Sequence, residues 1–82
     1  MSVNPIEGGI RTALENYFND LSGLATPHDL YAMVVQSAEK PLLEMVMQRT
    51  NHNQSVAAQW LGINRNTLRR KLQDHGLLDG SK

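Results

Sequence analysis

Asn53-Gln54-Ser55-Val56-Ala57-Ala58-Gln59-Trp60-Leu61-Gly62-Ile63-Asn64-Arg65-Asn66-Thr67-Leu68-Arg69-Arg70-Lys71-Leu72 is the stretch that decides the fold. Gln54 to Leu61 reads as a short helix, with Val56, Ala57, Trp60 and Leu61 on its apolar side. Gly62 follows as the expected left-handed residue that ends it. Ile63-Asn64 is a tight connection, and Asn64 is placed to cap the next helix. That helix runs from Arg65 to about His75, and Gly76 stops it. Leu68, Leu72 and His75 fall on its inner face, while Asn66, Arg69, Arg70 and Gln73 point outward. The spacing Ala58-x3-Gly62-x5-Leu68-x3-Leu72 is that of a helix-turn-helix. Ala58 is small where the helices cross, Gly62 reverses the chain, and Leu68 and Leu72 anchor the second helix to the first.

The side chains on the second helix suggest what such a unit would hold. Residues near the N-terminus of a recognition helix reach base edges in the major groove. Arg pairs with guanine, Asn with adenine, and Thr meets a thymine methyl group. Asn64, Arg65, Asn66 and Thr67 stand at that end, followed by the phosphate-neutralising Arg69, Arg70 and Lys71. Asn53 and Ser55 open the preceding helix and offer side chains and backbone N–H groups to a phosphate. Helical hairpins with glycine turns occur in many folds, so a helical protein-interaction module without DNA binding is the alternative reading.

Upstream, Thr50-Asn51-His52-Asn53 is a break rich in capping residues. Before it, one helix from about 27 to 50 is expected. Thr26 would cap it, Pro27 would take its first position, and Asp29 would complete a capping box. Leu30, Met33, Val34 and Ala38 share a stripe on its early half. Pro41-Leu42-Leu43-Glu44-Met45-Val46-Met47 is apolar on nearly every side, with Pro41 expected to kink the helix. A helix that is apolar all round must be buried all round. The second copy of an obligate homodimer is the simplest cover, with Leu42, Leu43, Met45, Val46 and Met47 as the dimer core. Such a rod would be roughly 35 Å long at 1.5 Å per residue.

Residues 1–8 read as a tail containing Pro5 and Gly8. Ile10, Ala13, Leu14, Tyr17, Phe18 and Leu21 then form a helical stripe, with Gly23 as a plausible stop. The 82 residues suit one small all-α domain of four helices. About 7–50 is the expected dimerisation core, and about 53–76 the helix-turn-helix. A chain this short has a marginal core and no cysteine with which to staple it. Residues 1–48 carry two basic against six acidic residues, net −4, and residues 49–82 carry six against two, net +4. The zero net charge therefore hides a basic end suited to an anionic partner. No leader segment and no apolar run long enough for a membrane span are found, which predicts a soluble cytoplasmic protein.

No nucleophile motif, phosphate loop or metal box is present, so neither an enzyme nor a cofactor is expected. His28, His52 and His75 are scattered and read as solvent, cap or packing residues. Met33, Met45, Met47 and Trp60 read as packing. Glu15, Glu39 and Glu44 lie on polar faces without an acid–base partner.

Asn53 through Leu72, together with Pro41–Gln48, Ala13–Phe18 and Asp29-Leu30-Tyr31, resembles the Fis family of bacterial nucleoid proteins. The likeness spans about residues 5–78. The C-terminal part alone also resembles the DNA-binding domain of NtrC-type activators, an alternative that would require a fragment. The family resemblance implies a homodimer built on the long second helix. It implies DNA contacts at Asn53, Ser55, Asn64, Arg65, Thr67, Arg69, Arg70 and Lys71, with Arg65 the principal base reader. It further implies degenerate, AT-centred sites on double-stranded DNA, bent through a compressible minor groove. A nucleoid location and RNA polymerase as a partner in transcription regulation belong to the same expectation. Two features depart from the family. Gln73-Asp74 replace basic residues, which removes flanking phosphate contacts. The short stretch before Pro5 predicts that the β-hairpin arm used on DNA invertases is missing.

Overall fold

The computed structural model describes residues 4–21 and 27–78. Four helices follow one another: α1 Pro5–Asp20, α2 Leu30–Arg49, α3 Gln54–Leu61 and α4 Arg65–Asp74, with no strand among the described residues. The all-α expectation holds. None of the helices is long and apolar enough to cross a membrane.

Two helix starts differ from the sequence reading. Pro5–Gly8 is not a tail but the opening of α1. Asn4 Oδ1 accepts from the Ile6 N–H at 2.8 Å, and Pro5 takes the first position, where its missing N–H costs nothing. Glycines 8 and 9 continue the helix despite their weak propensity. Residues 5–9 therefore form no hairpin arm. α2 starts at Leu30, not at Pro27. Asp29 takes the cap position at φ 54 and makes no side-chain cap bond, so it is not the third helical residue that the expected capping box requires. A left-handed residue breaks the helical run there, leaving Pro27 outside. Thr26 and Gly23 lie outside the described residues. α2 then runs through Pro41, where the Ser37 carbonyl loses the donor one turn on.

The core sits at the C-terminal half. Leu43, Met47, Ala57, Ala58, Leu68 and Leu72 form one buried cluster, with Val46, Leu61, Ile63, Leu77 and Leu78 packed against it. Burial of Leu43, Leu68 and Leu72 stabilises this half by roughly 1.5–3 kcal/mol each. Thr50 is buried too, and its hydroxyl donates to the Val46 carbonyl at 2.8 Å.

Three of the five residues expected at the dimer core pack within the chain itself. Leu43 and Met47 turn into the chain's own core, where α3 and α4 cover them. Val46 is half-buried beside them. Only Leu42 and Met45, about half exposed, face outward. Trp60, expected to pack, is 59% exposed. α1 contains no buried residue.

The connections are built from one repeated device. At the end of α3, Ile63 N–H donates to the Ala58 carbonyl and Gly62 N–H to that of Gln59, with Gly62 at φ 72. At the end of α4, Leu77 N–H reaches Leu72 and Gly76 N–H reaches Gln73. At the end of α2, His52 N–H reaches Met47 and Asn51 N–H reaches Gln48. Each is a Schellman closure, which satisfies the last carbonyls and turns the chain sharply.

Candidate nucleic-acid interface

α3 and α4 pack through Ala57, Ala58 and Leu68, which are 0–5% exposed. The absence of bulk at Ala57 and Ala58 lets the helices approach closely. With α4 fixed by Leu68 and Leu72, its opposite side is solvent-facing. Arg65, Asn66, Thr67, Arg69 and Arg70 are all exposed there. No carboxylate pairs with Arg65, Arg69 or Arg70 among the described residues. The three arginines predicted to meet nucleic acid are therefore gathered on one helix with no carboxylate partner among the described residues. Gln73 and Asp74 are exposed on its last turn.

Both predicted asparagines also cap helices. Asn53 Oδ1 accepts from the Val56 N–H at 3.1 Å, and Asn64 Oδ1 accepts from the Asn66 N–H at 2.7 Å. A bidentate contact to adenine uses both ends of the amide. The cap already occupies one end of Asn64, which leaves its NH₂ group as the donor it can present. Ser55 is exposed on the first turn of α3, beside the Asn53 cap.

Lys71 is placed differently from the other predicted contacts. Its Nζ donates to Glu39 Oε2 at 2.7 Å, across to α2. His75 Nε2 lies 2.8 Å from Oε1 of the same carboxylate. The Lys71 hydrogen bond first, and the His75 bond second, hold the Glu39 carboxyl below its ordinary range, while burial works against them. The sequence reading assigned Glu39 no partner and His75 only a bland role. The signals were faint: Glu39 continues the Leu43–Met47 stripe, and Lys71 and His75 are four apart.

Among the described residues no group of three or more metal-ligating side chains comes together.

A model of bacterial regulatory proteins of the Fis family matches residues 35–75. A putative Fis-like DNA-binding protein from Ralstonia nicotianae is 59% identical over 78 residues, covering 95% of this chain and all of that protein. The DNA-binding protein Fis of Proteus mirabilis is 49% identical over 73 residues, covering 89% of this chain and 74% of the relative. That of Escherichia coli O1:K1 is 48% identical over the same shares. The matched span takes in the α2–α4 core, both capping asparagines and the exposed arginines of α4, so this chain belongs to the Fis family of bacterial regulatory proteins.

Proposed function

We propose that this chain is a homodimeric, nucleoid-associated regulator that binds duplex DNA through α4 and bends it. The observation that carries the reading is the exposed outer face of α4, where Arg65, Arg69 and Arg70 meet no carboxylate among the described residues, on a helix-turn-helix core. Arg65 at the helix start reads a guanine edge. Thr67, Arg69, Arg70, Ser55 and Asn53 hold the phosphates on either side. No cofactor and no catalysis enter this role. RNA polymerase is the partner a bound regulator would address.

The dimer reading rests on surface left uncovered. α1 and the first half of α2 enclose an open groove of about 280 Å³ lined by Ile10, Leu14, Tyr17, Met33, Val34 and Ala38. Leu42 and Met45 extend the apolar surface along α2. The radius of gyration is 15.6 Å. A self-contained globule of this length would have about 12 Å. A second copy laid along α1 and α2 covers the groove and sets two α4 helices on one side. Two recognition helices on a fixed frame bend the duplex when the frame spaces them closer than successive major grooves.

The test is fluorescence anisotropy on an AT-centred duplex at several salt concentrations, with sedimentation of the free protein. Binding should weaken steeply with salt, at a dimer's mass. Duplex binding that is indifferent to salt, or no binding at all, would replace this reading with a protein-interaction module.

A further inference from the structure

Glu39 lies one turn ahead of Leu43 on α2, and Leu43 is buried with Leu68 and Leu72 of α4. The same seam that packs the leucines carries the carboxylate to the last turn of α4. Both of its oxygens are taken there, Oε2 by Lys71 at 2.7 Å and Oε1 by His75 at 2.8 Å. Lys71 on the last turn of α4 and His75 at its C-cap are four residues apart, so a single carboxylate spans a helical turn. The His75 side chain is only 12% exposed and that of Glu39 23%. Among the described residues no other ion pair joins two helices.

We propose that Glu39 is a positioning residue for the recognition helix and that it withholds Lys71 from the DNA phosphates. The inference rests on the DNA-binding reading above. A lysine paired with a carboxylate adds no net positive charge, so it neutralises no phosphate and releases none of the counterions condensed on the DNA. Moving Lys71 to DNA would break a short charge-assisted hydrogen bond. It would also leave a carboxylate facing the polyanion. Among the described residues no carboxylate restrains Arg65, Arg69 or Arg70, so the phosphate-binding charge of α4 is its arginines. The bridge meanwhile ties the end of α4 to α2, where Leu72 is also buried, while Leu68 holds its first half. The direction of the arginine face relative to α2 is thereby set at two points.

Salt dependence separates the roles. Binding of one AT-centred duplex is measured against salt for the wild type, Lys71→Met, Glu39→Gln and the double variant, with helical content checked by circular dichroism. Lys71→Met should keep the wild-type slope. Glu39→Gln should free Lys71 and steepen the slope by about 0.9 per protomer. The double variant should return to the slope of Lys71→Met. A slope shallower by about 0.9 per protomer in Lys71→Met overturns the proposal. So does an unchanged slope in a folded Glu39→Gln protein. If Glu39→Gln does not fold, Lys71→Met alone decides.

A second measurement needs no DNA. Acetic anhydride should modify Lys71 several-fold more slowly than the exposed Lys40 in the free wild-type protein, with Glu39→Gln abolishing the difference. Equal rates in the wild type would overturn the proposal. Absence of salt-dependent duplex binding by the wild type would instead remove the DNA-binding reading, and acetylation would still decide whether Glu39 holds Lys71.

Discussion

His52 sits at φ 63, directly after Asn51 at φ 55. Any residue but glycine meets a Cβ cost in this left-handed region, where the Cβ crowds the following carbonyl oxygen, although Asn and His occur there more often than most. The turn into α3 holds both because the closure of α2 and the Asn53 cap follow one another without slack. Relieving the Cβ is worth roughly 1–2 kcal/mol, partly offset by the extra freedom glycine gives the unfolded chain. His52→Gly should therefore raise stability by about 1 kcal/mol or somewhat less. Urea denaturation checks this, and a lower midpoint would show that the imidazole contributes contacts outweighing the strain. The roles proposed for α4 side chains can be separated in the same way. Arg65→Ala should erase preference among duplex sequences, at a cost of roughly 1–3 kcal/mol on the best site. Arg70→Ala should weaken all sequences alike and reduce the salt slope by about 1 per protomer. Retained sequence preference in Arg65→Ala would move base reading to another side chain.

At the scale of elements, α3 and α4 were legible because their signals are local. Asn53 and Asn64 cap, and Gly62 and Gly76 stop, each acting within a few residues of its own position. The start of α1 was also written locally, in Asn4-Pro5, but Pro5, Gly8 and Gly9 together look like a breaker. The start of α2 was misread because Thr26-Pro27-His28-Asp29 fits a capping box that the backbone of Asp29 does not allow. Least legible was Glu39. Its partners lie 32 and 36 residues away and meet it only once the register of α2 on α4 is fixed. The consequence is measurable as pH dependence. The folded-state pKa of Glu39 lies below its ordinary 4.5, so its pairing stabilises the fold above that value and is lost as pH falls through the lowered one. Urea midpoints of wild type and Glu39→Gln should thus differ at neutral pH and converge in acid. A gap that widens on acidification would reverse the assigned sign.

The whole molecule is unevenly built. Its buried cluster joins the second half of α2 to α3 and α4, whereas the 16-residue α1 buries nothing of its own. An isolated helix of that length is marginal in water. What holds α1 must therefore be supplied by the apolar surface around Ile10, Leu14 and Tyr17, which the second copy covers in the proposed dimer. The apolar run on α2 serves both halves at once. Leu43 and Met47 go inward, and Leu42 and Met45 go outward. A sequence pattern that is apolar all round calls for cover on every side but does not say which side belongs to which neighbour. This division makes a prediction that differs from simple unfolding. Met45→Arg places a charge on the outward face without touching the inner cluster. It should yield a monomer by sedimentation in which amide protection is lost across α1 but kept in α3 and α4, read by hydrogen exchange. Duplex affinity should fall with it, because one recognition helix alone makes half the contacts. Loss of protection throughout would mean the two halves fold as one unit and the inner core cannot stand without the partner. A variant that remains a dimer would place the interface away from Leu42 and Met45.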